Sequence, residues 1–354
     1  MEMETNSKTI LITPLNWGLG HATRCIPIVK ILQNHNYIPI IASDGEALCL
    51  LKKEFPYIKI LELPSYKIEY PKKGKNFQWK LLFSIPKIAK AILKEHKVIA
   101  KWIHQYDIEG IISDNRLGCY STKVPSVYLT HQVTVLSGKT TWLASFVHQL
   151  FIKKFKECWV PDHFNEINIA GKLSHSQNKK LNLKYIGPIS RFHKKEIPKQ
   201  YDLMIILSGP EPQRGILDTL LQKEIKRYDG KVLYIHGIIE KEQKTEQNGT
   251  VTFYNFMNTK QLEKAINESE TILCRSGYTS IMDVEKLEKK AFFIPTPGQY
   301  EQEYLASKLN EENIAPFENQ EDFKIENLEK LSSYKGFKNS EKTTNWEQLL
   351  RIFE

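Results

Sequence analysis

Cys274-Arg275-Ser276-Gly277-Tyr278-Thr279-Ser280-Ile281-Met282-Asp283 places an arginine, four hydroxyls, a glycine and a carboxylate at the end of a short apolar run, Thr271–Cys274. Read as strand, turn and helix start, this segment suits a nucleotide diphosphate, because the first turn of a helix presents backbone N–H groups that attract phosphate. Arg275 would neutralise charge, Gly277 would let the backbone come close, and Ser276 and Thr279 would add hydroxyls. Asp283, about two turns along, would accept hydrogen bonds from ribose hydroxyls. A second group follows in Pro295-Thr296-Pro297-Gly298-Gln299-Tyr300-Glu301-Gln302-Glu303-Tyr304.

Four further loops carry reactive or permissive side chains. Pro14-Leu15-Asn16-Trp17-Gly18-Leu19-Gly20-His21 follows the first apolar run; its G-x-G lacks the third glycine of a dinucleotide fingerprint, since position 23 is Thr, which argues against a nicotinamide enzyme. Asp114 and His131 each stand immediately beyond an apolar strand, in Ile111-Ile112-Ser113-Asp114 and Tyr128-Leu129-Thr130-His131. Leu207-Ser208-Gly209-Pro210-Glu211-Pro212-Gln213-Arg214-Gly215 offers small residues for a tight turn and an arginine that reaches phosphate. An imidazole or a carboxylate in such a place serves as a general base, with His21 the first choice and Asp114 the second.

These segments together resemble the MurG-like glycosyltransferases of family 28. The resemblance is densest at the Gly18, Gly20, His21 turn and from about Thr259 to Ala306. It implies a GT-B fold, a UDP-sugar donor held by the C-terminal domain, an acceptor hydroxyl held by the N-terminal domain, and an inverting displacement. The family carries a ribose-binding Glu where this chain has Asp283, and consecutive sugar-contacting Gln residues where it has Gln302 and Glu303. His131 lies where the family has an acceptor-side His-Glu-Gln-Asn stretch. The family's G-G-S-Q-G-like turn is replaced by Ser208-Gly209-Pro210-Glu211-Pro212, with two prolines and one added residue. An N-acetylhexosamine as transferred group and a lipid-linked acceptor follow from the resemblance alone. Two other readings share the architecture: a UDP-sugar 2-epimerase-like isomerase and a nucleotide-sugar-binding protein without turnover.

The elements that must position these groups read as α/β. Short β-branched runs at Thr9–Thr13, Ile38–Ala42, Lys59–Leu63, Ile108–Asp114, Ser126–Thr130 and Glu157–Pro161 alternate with helical periodicity, the longest stretch being Asn76–Gln105. A polar, basic break near Gly187–Lys195 precedes a second series from Asp202 to Glu312. The expected organisation is an N-terminal acceptor-binding Rossmann-like domain over 1–187, a linker over 188–200, a C-terminal nucleotide-sugar-binding Rossmann-like domain over 201–342 and a closing helix over 343–354. The two domains would face across a cleft at the carboxyl ends of their strands.

Composition limits the alternatives. With 41% apolar and 26% charged residues and no long apolar run, the chain reads as a water-soluble protein that does not span a membrane. The short acidic start lacks the order of a secretory signal, so a cytoplasmic protein is expected. Cys25, Cys49, Cys119, Cys158 and Cys274 have no metal spacing and read as buried thiols. The absence of D-x-D leaves no acidic metal clamp, so neither metal nor cofactor is expected. Net charge is +9, from 50 Lys and Arg against 41 Asp and Glu, and ten Lys against two Glu fall between Lys67 and Lys101. No recognition motif for nucleic acid accompanies that charge. The Tyr66–Lys101 segment, with Tyr66, Tyr70, Phe77, Trp79 and Phe83 among its lysines, is instead expected to rest on an anionic membrane surface.

Overall fold

The computed structural model describes residues 7–66, 77–165, 168–176, 178–238, 240–338 and 344–354, with the side chains of 77–85 and of Lys139 left aside. Among these residues the first sheet has seven parallel strands, β1 (Thr9–Pro14), β2 (Ile38–Ser43), β3 (Ile60–Glu62), β4 (Ile108–Asp114), β5 (Ser126–Leu129), β6 (Glu157–Val160) and β7 (Leu183–Tyr185), in the order β3-β2-β1-β4-β5-β6-β7. Helices α1 (Gly20–Asn34), α2 (Gly45–Glu54), α3 (Phe77–Gln105) and α4 (Thr141–Ile152) cross between them. β1 and β4 are buried along nearly their whole length, as parallel strands covered on both faces require. The strand order reverses between β1 and β4, and their register puts Pro14 opposite Asp114 at the carboxyl edge.

The second sheet, built from β8 (Tyr201–Ile206), β9 (Val232–Ile235), β10 (Thr245–Asn248), β11 (Val251–Tyr254), β12 (Ser269–Cys274) and β13 (Lys290–Phe293), runs β10-β11-β9-β8-β12-β13. Its helices are α5 (Gln213–Glu224), α6 (Thr259–Glu268), α7 (Tyr278–Lys286) and α8 (Tyr300–Glu311). All pairings are parallel except the β10–β11 hairpin. Each sheet has its own apolar core.

The chain divides into two compact units at Ile189/Ser190. The closing helix α9 (Trp346–Leu350) belongs to the first unit. There Trp159 meets Trp346 and Phe353 edge-on, and Lys8 Nζ donates to the carbonyls of Phe353 at 2.9 Å and Glu354 at 2.6 Å. Gly110 on β4 permits this approach, since a Cβ would lie 2.4 Å from the Phe353 ring. The cysteines are unpaired; four are buried, but Cys49 is exposed.

Candidate active site

At the carboxyl edge of the first sheet, the register of β1 with β4 brings His21, in the first turn of α1, onto Asp114 despite 93 intervening positions. His21 Nδ1 lies 2.8 Å from Asp114 Oδ1. Arg24, one helical turn further, donates through Nε to Asp114 Oδ2 at 2.6 Å and through Nη2 to Oδ1 in a bidentate clamp. Its Nη1 lies 3.1 Å from Nδ1 of His131, beyond β5, and because a guanidinium only donates, His131 Nδ1 is the acceptor. Asp114 and Arg24 are buried, whereas the His21 side chain keeps 16% of its surface.

These placements set the charges. Burial alone would raise the Asp114 pKa, but Arg24 and then His21 outweigh it and hold the carboxyl well below its ordinary range. His21 is shifted down, first by burial and also by Arg24, with Asp114 pulling the other way. The first sheet thus assembles an imidazole shifted toward its neutral form on a carboxylate shifted toward its ionised form. Both oxygens of Asp114 are engaged by protein groups, Oδ1 by His21 and Arg24 and Oδ2 by Arg24.

The turn entering α1 is fixed from below by a second buried arginine. Arg116 donates to Pro14 O at 3.0 Å and Pro64 O at 3.1 Å, and pairs with Asp44 and, at 2.6 Å, with Glu95 on α3. Gly18 has φ +76°, a conformation that costs most side chains energy, and space for a Cβ is open there. Gly20 begins α1.

The carboxyl edge of the second sheet behaves differently. Arg275 follows β12, but its guanidinium turns inward, donating to Ile294 O at 3.2 Å, Pro295 O at 3.0 Å, Gln213 O at 3.0 Å and Gln320 Oε1 at 2.6 Å. Burial lowers its pKa to about 10. The expectation that Arg275 meets phosphate is therefore corrected: it braces the loops after β8, β12 and β13. Arg214 likewise donates to His236 O at 3.0 Å and pairs with Glu211 at 2.5 Å. Glu211 also accepts from Gly215 N at 3.1 Å, so a carboxylate of the protein stands at the start of α5, beside Ser208 and Gly209.

Gln302 and Glu303 also hold protein backbone. Gln302 Oε1 accepts from Thr296 N at 2.9 Å, its carbonyl accepts from Ser276 Oγ at 2.8 Å, and Glu303 Oε1 accepts from Gly298 N at 2.8 Å. In this structure they shape the loop before α8 rather than reach outward. At the start of α7 the N-cap is Gly277, which has no side chain to cap the helix; a Cβ there would meet nothing within 4 Å, and Thr279 is half-buried in the first turn. Asp283 sits on the same helix, accepts from Ser190 Oγ at 2.6 Å, and is raised to about 6 by burial, against the opposing effects of Arg191 and Ser190.

Residues 213–348 match the glycosyltransferase family 28 C-terminal domain. A curated relative, the UDP-N-acetylglucosamine--N-acetylmuramyl-(pentapeptide) pyrophosphoryl-undecaprenol N-acetylglucosamine transferase of Haemophilus ducreyi, is 23% identical over 251 residues, covering 68% of this chain and 67% of that protein. The chain is a glycosyltransferase similar to the MurG-like enzymes of family 28. The Acinetobacter baumannii MurG structure shares the fold at TM-score 0.55 and 14% identity, covering 92% of this chain and 89% of its own. The calicheamicin glycosyltransferase CalG4 does so at 0.62 and 9%, covering 93% and 91%. These likenesses support the GT-B architecture, and the matched C-terminal domain together with the curated relative indicates a glycosyltransferase rather than an isomerase or a protein without turnover.

Sequence reading of this glycosyltransferase passed over Arg24 and Arg116. For Arg24 the signal was there: three residues past His21 on a helix is the same face. It placed a helix near Thr141–Phe155 but passed over the outward face of α4, where Trp142, Leu143, Phe146, Val147 and Leu150 are exposed, Trp142 by 72% and Phe146 by 57%. The inner side of α4 holds the His131–Val135 loop, through Ser145 Oγ to Val135 N at 3.0 Å and Gln149 Nε2 to Val133 O at 3.3 Å. Of the expected basic segment, residues 67–76 and the side chains through 85 lie outside the described residues, among them Tyr70, Phe77, Trp79 and Phe83. Tyr66 is not a surface aromatic; it is buried with its hydroxyl on Glu95 at 2.7 Å. Lys87, Lys90, Lys94, Lys97 and Lys101 do line the exposed side of α3.

Proposed function

We propose that this enzyme transfers a sugar, an N-acetylhexosamine by likeness to the Haemophilus relative, from a UDP-sugar to a hydroxyl acceptor with inversion and without a metal. The observation that carries the reading is the His21–Asp114 contact of 2.8 Å at the reversal point of the first sheet. With its Nδ1–H donated to Asp114, His21 has its lone pair on Nε2, and that nitrogen takes the acceptor's hydroxyl proton as the oxygen attacks the anomeric carbon. The bond from that carbon to the diphosphate breaks on the opposite side, and its electron pair leaves with UDP.

The leaving diphosphate is assigned to the start of α7, where the helix dipole and backbone N–H groups stabilise negative charge. Glu211 already fills the corresponding place at α5. Asp283 is assigned to the ribose. Metal independence rests on the absence of D-x-D and on this helix-based neutralisation.

The acceptor is assigned to the lipid-linked class, as in the name of the Haemophilus relative. Two surfaces support this: the exposed apolar side of α4 and the lysine row of α3. His96 on α3 packs on Tyr120 at 4.5 Å, and Lys154, just past α4, donates to the same Tyr120 hydroxyl at 3.2 Å, so the two surfaces adjoin. A cytoplasmic enzyme resting on the inner face of a membrane follows. Among the described residues no helix is long and apolar enough to cross one.

The test is incubation with labelled UDP-sugars and a polyprenyl-diphosphate glycan acceptor, with EDTA in a parallel arm. Release of UDP with an inverted glycosidic product, unaffected by EDTA, is expected. Retention of configuration, or loss of activity restored by Mn²⁺, would overturn the mechanism.

A further inference from the structure

His21 Nδ1 is approached from two sides by groups that make opposite demands on it. Asp114 Oδ1 at 2.8 Å accepts, which favours a proton on Nδ1. Arg24 Nη2, also at 2.8 Å, can only donate, which favours a bare Nδ1 and hence a proton on Nε2. One ring nitrogen cannot satisfy both. In an isolated histidine–carboxylate pair the carboxylate would decide the tautomer and raise the ring's basicity. Here the guanidinium that clamps the carboxylate also competes with it.

We propose that Arg24 is a positioning residue that holds the His21 ring neutral and, by competing with Asp114 for Nδ1, keeps part of the resting population in the Nε2–H form. Engagement of an acceptor hydroxyl at Nε2 then draws the ring into the Nδ1–H form, and Asp114, already fixed by Arg24, receives that hydrogen bond without moving. The benefit is a base unprotonated at neutral pH; the drawback is reduced basicity.

Apart from Asp114, the groups facing the ring act in the same sense. Asp114 on β4 alone favours protonation, while burial, Arg24 on α1 and His131 beyond β5 oppose it. Asn115 Nδ2, 3.5 Å from the same nitrogen, is a second donor, and its side-chain oxygen is held by Tyr128 at 3.1 Å. Cys25 Sγ approaches Asp114 Oδ2 at 3.5 Å, and His148 on α4, itself lowered to about 4 mainly by burial, packs against Tyr128. None of these reproduces the direct conflict at Nδ1.

The experiment is two-bond ¹H–¹⁵N spectroscopy of the His21 ring across pH in the full chain, for wild type, Arg24→Met and Arg24→Lys, with kcat/KM measured over the same range. In Arg24→Met the His21 titration should move up and the neutral ring should shift toward Nδ1–H, with Arg24→Lys between it and wild type. Activity at pH 6 relative to pH 8 should then fall severalfold in Arg24→Met, a change that a purely structural role would not produce. Should Arg24→Met fail to fold, the tautomer ratio in Arg24→Lys decides. An unmoved His21 titration and tautomer ratio in a folded variant overturns the proposal. The kinetic arm alone rests on His21 being the base: if the ring responds as expected while the pH profile of kcat/KM does not follow, the Arg24 assignment stands and the assignment of the base fails.

Discussion

The two sheet edges of this enzyme use their arginines in contrasting ways. At the first, Arg24 is aimed at another ionisable group: it clamps Asp114 and thereby sets the state of His21. At the second, Arg275 and Arg214 are directed at backbone carbonyls and at Glu211, holding loops in place, while the start of α7 has a glycine at its N-cap. A motif arginine beside a phosphate site therefore does not identify a phosphate ligand. Backbone carbonyls at converging strand ends need donors when they are buried, and a guanidinium with five N–H groups satisfies several at once.

The contrast breaks most readily at His21. His21→Ala should lower kcat/KM by roughly 10²- to 10⁴-fold, as expected for loss of a general base, and leave UDP-sugar affinity nearly unchanged. Single-turnover kinetics with equilibrium dialysis separates the two. A variant that turns over normally would make the first edge as structural as the second.

At the second edge, Gly277→Val and Arg275→Met should fail in different ways. Gly277 has φ −70° and ψ 141°, which any residue adopts, and open space at its Cβ. Valine there should leave thermal stability within a degree or two but obstruct a diphosphate, weakening UDP by at least about tenfold, or 1.4 kcal/mol. Arg275→Met leaves buried carbonyls without donors and should destabilise the unit by about 3 kcal/mol or more. Calorimetry and thermal melts report both quantities. Equal melting temperatures, with affinity lost only in Arg275→Met, would return Arg275 to the phosphate.

A third comparison sets the apolar side of α4 against the lysines of α3. Trp142→Glu with Phe146→Glu should cut sedimentation with anionic vesicles severalfold even at low salt. Lys90→Glu with Lys94→Glu should do so only where charge is weakly screened, each lysine contributing about 1 kcal/mol. Identical salt dependence of the two double variants would show that α4 does not enter the lipid.

Much of this was legible in the sequence, for reasons that also explain what was not. Buried parallel strands such as Ile10–Ile12 and Ile111–Ile112 are continuous apolar runs, and the residues at their ends fall where ligands gather. β7 and β10 escaped notice: the first is three residues long, and the second is the exposed, polar Thr245-Glu246-Gln247-Asn248, held by pairing with β11 rather than by burial. The meeting of His21 with Asp114 depends on strand order, which local pattern does not encode, so the two were read as rival bases. The partners of Arg275, Gln302 and Glu303 are backbone groups, whose positions no residue identity reveals.

The smallest expected effect concerns Asp283, the one carboxylate at the second edge assigned to a ligand. Its pKa is pushed up to about 6 by burial, from an ordinary 3.8. A raised value means that the folded state binds the proton more tightly than the unfolded state. The stabilisation is therefore complete below the unfolded value and is lost as pH rises through about 6. Ligand binding should run the other way, because the ionised carboxylate accepts from two ribose hydroxyls and the protonated acid accepts less well. Affinity for a UDP-sugar, whose diphosphate is doubly esterified and does not titrate near pH 6, should fall roughly three- to tenfold between pH 7.5 and pH 5. Asp283→Asn should bind more weakly at pH 7.5 and show little change over that range. A steep pH dependence that persists in Asp283→Asn would assign the titration to another group and detach Asp283 from the ribose.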